Sequence, residues 1–263
     1  MEFCKEIGIF EVISKNPTIK FKKDLKKAVK PKENQLKDSF SIQIETRKNE
    51  IFLEKSKNII SKDLMTNFNS KKKFLEELRN EVSKIDCNLK ETSTNLVFST
   101  GDINSKVMFI GEAPGILEDK YGEPFNDNSG KLLFKMIDFI GLNKENSYFT
   151  NLVFWRPPGD RSPNDEEINI CLPLTIKHIN IINPDFIVTL GGVSSKAILN
   201  LESNIMKVRG KEFIFKNKGS GKDIKVFPMF HPNFLINNPS EKKKAWFDLS
   251  KYSKLLNNKD NKS

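Results

Sequence analysis

The sequence predicts an α/β fold built on a mainly parallel sheet. Two observations carry that expectation. From about residue 74 onward, short apolar runs alternate with stretches of helical apolar spacing. Each apolar run also ends in a turn rich in Gly, Pro or Asn, and open α/β sheets place their ligand crevice at such strand ends. The 263 residues are enough for one large domain and an extension.

The elements follow in order. Phe74, Leu75, Leu78 and Val82 recur at helical spacing, so a helix opens the compact domain, 74–263. The first strand, Val107-Met108-Phe109-Ile110, runs into Gly111-Glu112-Ala113-Pro114-Gly115, and a helix is expected over Gly130–Ile140. The second strand, Tyr148-Phe149-Thr150, leads to Asn151 and then Arg156-Pro157-Pro158-Gly159. Ser162-Pro163-Asn164 before the acidic turn Asp165-Glu166-Glu167 starts a helix over Asp165–Ile182. The third strand, Phe186–Leu190, meets Gly191-Gly192-Val193-Ser194 and a helix to Leu199. The fourth, Val226–Phe230, ends at His231-Pro232-Asn233, and its Pro228 suggests an edge position. Turns and reactive side chains therefore converge on one rim, which is the expected site.

Residues 1–73 read differently. They are Lys-rich with weak periodicity and form an extension, partly helical or flexible, with short amphipathic helices expected at Met1–Ile13 and Ile51–Leu64. The net charge of +10 is unevenly spread: +8 over 1–73, −6 over 74–200 and +8 over 201–263. The excess fits an acidic partner such as nucleic acid, or the Lys, Asn and Ile bias of an AT-rich genome. Of 44 basic residues only five are Arg, and Arg156, Arg161 and Arg209 sit beside Gly/Pro motifs. A guanidinium fork suits phosphate.

Several classes are disfavoured. No apolar run approaches the roughly 18 residues of a membrane span, and Met1–Phe10 lacks a signal-peptide pattern. Cys4, Cys87 and Cys171 cannot form a disulfide framework, which points to a reducing cytoplasm. Two histidines, His178 and His231, offer no zinc spacing, and His178 reads as a core residue. The G-x-G-x-x-G fingerprint is absent; Lys131 and Lys222 each follow a glycine without completing a phosphate loop. There is no nucleophile elbow.

Together the motifs resemble those of family 4 uracil-DNA glycosylases, collinearly from about Phe74 to Leu249. Gly111–Gly115 with Glu118-Asp119 and Gly122-Glu123-Pro124-Phe125 is similar to their first active-site motif. Thr150-Asn151 with Arg156–Arg161 is similar to the uracil-recognition segment. Met206–Gly210 and His231-Pro232-Asn233-Phe234-Leu235 are similar to the later ones. The resemblance implies a three-layer α/β/α domain with a central four-stranded, mainly parallel sheet. It implies hydrolysis of the N-glycosidic bond of uracil in DNA, the first step of base-excision repair.

Uracil has to leave the base stack to be reached. Gly111, Phe125 and Asn151 are then the expected uracil pocket, with Phe125 stacking and the Asn151 amide matching the uracil edge. A neutral His231 would donate to uracil O2 as the anion leaves. Glu112, preferred over Asp119, would activate water. Arg156, Arg161, Ser194, Arg209 and Leu235 are the expected DNA contacts, with Phe234-Leu235-Ile236 as an apolar wedge. The implied partner is uracil-containing DNA, handled by a monomer in a bacterial cytoplasm at the nucleoid, with no membrane. The alternative is a non-catalytic DNA- or nucleotide-binding module of this fold.

Two departures stand out. Typical members ligate a [4Fe–4S] cluster through four cysteines, and only Cys87 and Cys171 match; Lys84 and Trp155 occupy the other positions. No metal and no cofactor is expected, as in similar alphaproteobacterial relatives. Asn126-Asp127 stands where the family usually has Val-Gly, adding a carboxylate near the pocket.

Overall fold

The computed structural model describes residues 68–260. The two short helices expected before residue 65, and Cys4, lie outside the described residues. Helix α1 covers 68–84 and α2 is the single turn Leu89–Thr92. The sheet strands are β1 (Thr100–Gly101), β2 (Val107–Gly111), β3 (Tyr148–Asn151), β4 (Phe186–Leu190), β5 (Phe213–Lys216) and β6 (Asp223–Met229). Between and after them come α3 (Ile116–Tyr121), α4 (Asn128–Asp138), α5 (Asp165–Ile182), α6 (Gly192–Leu199), α7 (Ile205–Val208), α8 (Pro232–Asn237) and α9 (Lys242–Asp260).

The sheet order is β1-β3-β2-β4-β6-β5. The four expected strands form its middle, with β3, β2, β4 and β6 mutually parallel. Two antiparallel edge strands add to them: β1 on β3 and β5 on β6. The expectation that Pro228 marks an edge is corrected, because β6 lies between β4 and β5. Strand β5 pairs only with Asp223–Val226, so Pro228 sits beyond its end. There its carbonyl accepts Gly210 N–H at 3.0 Å, and its missing N–H disrupts no ladder.

Side chains alternate across the sheet, as the pleat requires. Met108, Ile110, Tyr148, Ile187 and Val226 face one core with α1, α5 and α6. Val107, Phe109, Phe149, Val188 and Phe227 face the other with α4, α8 and α9. Both faces are covered, hence the nearly continuous apolar strands. Helix α5 starts with a reciprocal cap in which Asn164 and Glu167 each accept the other's backbone N–H.

From β2 the chain crosses to β3 on one side, and from β4 to β6 on the other. The strand order reverses between β2 and β4, which is where α/β folds open their ligand crevice.

Candidate active site

A cleft of about 490 Å³ opens at that reversal. It is lined by the turn after β2, the start of α4, the Asp160–Pro163 segment and the turn into α8. Three of the four motif regions that sequence alone placed on one rim reach it or the layer behind it, and the fourth, the Gly-Gly turn, meets it through the Glu112 carboxylate.

Glu112 leaves β2 and lines the cleft. Its carboxylate accepts Val193 N–H at 2.8 Å and also that of Gly192, so it caps the start of α6. Gly191, at φ +104°, has no room for a Cβ because the Glu112 carboxylate fills that space. Burial raises the pKa of Glu112, and the two N–H groups oppose the rise.

One layer deeper, Gly111, Phe125 and Asn151 pack together. Phe125 is 2% and Asn151 1% exposed. A Cβ on Gly111 would run into Asn151 Oδ1 and come within 2.9 Å of Phe125 Cζ. Phe125 holds the left-handed backbone at φ +58°, uncommon for a bulky residue. Its N–H is fixed by Glu118 Oε1, and its carbonyl packs against Gly130, where a Cβ would collide with it. The strain is locked in by neighbours on both sides.

His231 faces the same volume. Its ring lies 6.5 Å from that of Phe125 at an interplanar angle of 27°. Nδ1 accepts the backbone N–H of Asn233 at 3.2 Å, capping α8. Burial lowers its pKa to about 4, against a small opposing pull from Asp127. The neutral ring therefore carries its proton on Nε2.

Glu118 was legible only as part of a motif, and its role was missed. It is buried at 5% exposure, accepts Gly115 N–H at 2.7 Å and the Phe125 N–H, and receives Asn151 Nδ2 at 3.5 Å. Burial raises its pKa to about 7, opposed by those N–H groups and helped by Asp127. Asp127, which also lines the cleft, caps α4 by accepting Gly130 N–H at 2.8 Å and Ser129 Oγ at 2.7 Å.

Four expected residues lie elsewhere. Asp119 follows Glu118 on α3 but points to the other side, where it accepts the N–H groups of Thr94 and Asn95 at 2.8 and 2.9 Å. It fastens a loop and does not line the cleft. Ser194 is fully buried and donates to Leu190 O at 3.0 Å. Arg209 pairs with Asp248 at 2.7 Å, donates to Lys244 O at 2.6 Å and stacks 4.8 Å over Phe230, so it ties the end of α7 to α9. Leu235 is fully buried in the core, while Phe234 and Ile236 on either side are each 39% exposed. Of the remaining arginines, Arg156 bonds Asp160 at 2.6 Å. Arg161 grips Glu167 through two bonds, at 2.6 and 2.9 Å, while lining the cleft edge.

The residues at the implied cluster positions do not fit a four-iron cluster. Cys87 and Cys171 are buried and hydrogen-bonded to each other, and burial pushes the Cys171 thiol up to about 12. Two thiols are half the ligand set that a four-iron cluster requires. Trp155, 4% exposed, fills the same core region, with Lys90 Nζ 5.8 Å from its ring, and Lys84 points to solvent. Among the described residues no group of three or more His, Cys, Asp or Glu side chains is placed to hold a metal ion. Likewise, no described helix is long and apolar enough to cross a membrane.

Known proteins are similar to this chain over about two thirds of its length. The model of the Uracil DNA glycosylase superfamily matches residues 98–250. A Type-4 uracil-DNA glycosylase of Sulfurisphaera tokodaii is 42% identical over 187 residues, covering 69% of this chain and 84% of that protein. Those of Archaeoglobus fulgidus and Thermotoga maritima are each 36% identical, over 66% and 65% of this chain and 88% of each relative.

Proposed function

The chain belongs to the uracil DNA glycosylase superfamily, and from that membership and the cleft we infer how it works as a uracil-DNA glycosylase. It is a hydrolase of N-glycosyl bonds that removes uracil from DNA. The flipped base enters beside Phe125, which stacks on it. Asn151 donates Nδ2–H to O4 and accepts N3–H at Oδ1. His231 donates Nε2–H to O2 as the bond electrons pass into the uracil ring, so the leaving group departs as a stabilised anion.

Water then bonds to C1′ and gives up a proton. Glu112 is the better acceptor for it: two of its roughly four acceptor positions are occupied, against three on Glu118. Burial makes Glu112 more basic than an ordinary carboxylate. Among the described residues no lysine lines the cleft, which supports water rather than an amine as nucleophile. Arg161 at the cleft edge and exposed Phe234 and Ile236 on α8 are suited to hold the duplex, with one apolar side chain filling the vacated stack.

The observation that carries this mechanism is the Asn233 N–H bond to His231 Nδ1, which leaves a donor on Nε2 beside the stacking ring. To test it, a uracil-containing oligonucleotide is incubated with the protein and treated with alkali. Strand cleavage is expected with the wild type and should disappear in the Asn151→Ala, His231→Ala double variant. Equal cleavage by that variant overturns the mechanism.

A further inference from the structure

We propose that Glu118 is a specificity-determining positioning residue: its carboxylate holds the Asn151 amide in the one orientation that reads uracil, and without that charge the amide turns over and reads cytosine. The proposal rests on the uracil-DNA glycosylase reading above and names the device by which the pocket rejects the normal base.

A planar amide presents a donor and an acceptor that exchange places when it turns through 180°. With Nδ2 toward O4 and Oδ1 toward N3–H it matches uracil. Turned over, Oδ1 meets the exocyclic amine of cytosine and Nδ2 meets its unprotonated N3. Asn151 therefore discriminates only if something fixes its orientation.

Glu118 Oε1 receives Asn151 Nδ2 at 3.5 Å. At this length the contact is chiefly electrostatic, between the charge of the carboxylate and the dipole of the amide N–H. An ionised carboxylate has no donor, so the turned amide would set Oδ1 against negative oxygen. On the other side, Asn151 Oδ1 lies against Gly111, whose absent Cβ makes room for it. Glu118 itself cannot swing away, because Gly115 and Phe125 N–H groups hold its two oxygens.

The charged group that acts on Glu118 from a neighbouring element is Asp127 at the start of α4, and it is acidic. The other groups acting on it are the Gly115 and Phe125 N–H groups and the Asn151 amide, none of them cationic. Burial and Asp127 raise its pKa to about 7, so the carboxyl changes charge in the physiological range. A protonated Glu118 gains an O–H that bonds the turned amide's Oδ1. Selectivity for uracil over cytosine should then fall on mild acidification.

The test uses single-stranded oligonucleotides carrying one uracil or one cytosine, which removes base pairing from the comparison. The ratio of excision rates is measured from pH 8.5 to pH 6, above the range where cytosine N3 protonates. In the wild type the ratio should fall by about tenfold across that window. In Glu118→Gln, whose amide can donate to Oδ1, it should be lower by about tenfold or more at pH 8.5 and independent of pH. A ratio that neither pH nor the variant alters overturns the proposal. So does a folded variant, checked by circular dichroism, that loses both activities in proportion. If the variant does not fold, the wild-type profile alone decides. Wild-type protein that excises no uracil overturns the function itself.

Discussion

The Glu112 carboxylate accepts the Val193 backbone N–H at 2.8 Å, tying the turn after β2 to the turn after β4 across the point where strand order reverses. The residue is thus both a helix cap and the carboxylate best placed to take a proton from water. Asp119, seven residues on, caps nothing in the cleft and braces the 94–95 loop. Replacing each by its amide should separate the roles. Glu112→Gln should lower kcat for uracil excision by about 10²–10⁴-fold. Asp119→Asn should cost about 1–2 kcal/mol of stability while leaving kcat within about threefold. Single-turnover excision and urea unfolding of both variants measure the contrast. A collapse of kcat in Asp119→Asn at full stability would return Asp119 to the chemistry.

His231 should remain uncharged throughout the working range. Burial lowers its pKa to about 4, and the Asn233 bond puts the remaining proton on Nε2. A nitrogen-detected NMR titration should report one neutral tautomer from pH 8 down to about pH 5, with protonation only near pH 4. A midpoint near 6.5 would mean that the ring is solvated and cannot act as a neutral donor.

Gly111→Ala should close the uracil pocket while sparing the sheet. The new methyl collides with Asn151 Oδ1 and crowds Phe125 Cζ, and both are buried. Excision should fall by at least about 100-fold, because misplacing the recognition amide by 1 Å is enough. Stability should drop by about 1–3 kcal/mol as the neighbours shift. Near-normal excision by a folded variant would show that Asn151 does not need its observed position.

These contrasts also mark what the sequence can and cannot carry. Strands β2, β3, β4 and β6 were legible because both their faces are buried, leaving unbroken apolar runs. Strand β5 alternates buried and exposed residues over only four positions at an edge, and β1 is two residues long, so neither stands out from a loop. Helix α9 hides its apolar stripe, Ala245, Leu249 and Tyr252, among lysines, although the spacing was there to be found. At the site, residue types were legible and directions were not. Glu118 and Asp119 are adjacent carboxylates on one helical turn, and about 100° of rotation sends one to Asn151 and the other to Thr94. Asn151 and Glu118 are 33 residues apart, so their contact exists only once β2 and β3 pair.

The buried His178 should make the fold acid-sensitive. Its Nε2 is 2.7 Å from Tyr148 Oη, and burial lowers its pKa to about 3. The unfolded chain takes up this proton near pH 6.5 and the folded protein only near 3, so stability is lost as pH falls through that window. At pH 5 the loss is about 2 kcal/mol from this residue. His231 acts with the same sign; Glu118, whose pKa is raised, acts oppositely between about 7 and 4.5. His178→Phe, stacked on Phe98 as the imidazole now is at 4.6 Å, should flatten the difference between unfolding free energies at pH 8 and pH 5. An unchanged difference would place the acid sensitivity elsewhere.

The wedge prediction separates neighbours on α8. Leu235 is fully buried against the core, whereas Ile236 is 39% exposed and lines the cleft. Leu235→Ala removes buried methyls and should cost about 2–4 kcal/mol, with excision by the folded fraction little changed. Ile236→Ala should leave stability within about 0.5 kcal/mol, because the side chain lies at the surface and its truncation opens no enclosed cavity. If Ile236 fills the stack that uracil vacates, its truncation raises the cost of flipping a paired base and leaves an already unstacked one unaffected. Excision from duplex DNA should therefore fall by about tenfold or more, while single-stranded substrate is processed at near wild-type rate. Equal losses on both substrates would assign Ile236 to the pocket wall, and no loss on either would pass the role to Phe234, the other exposed apolar residue of the helix.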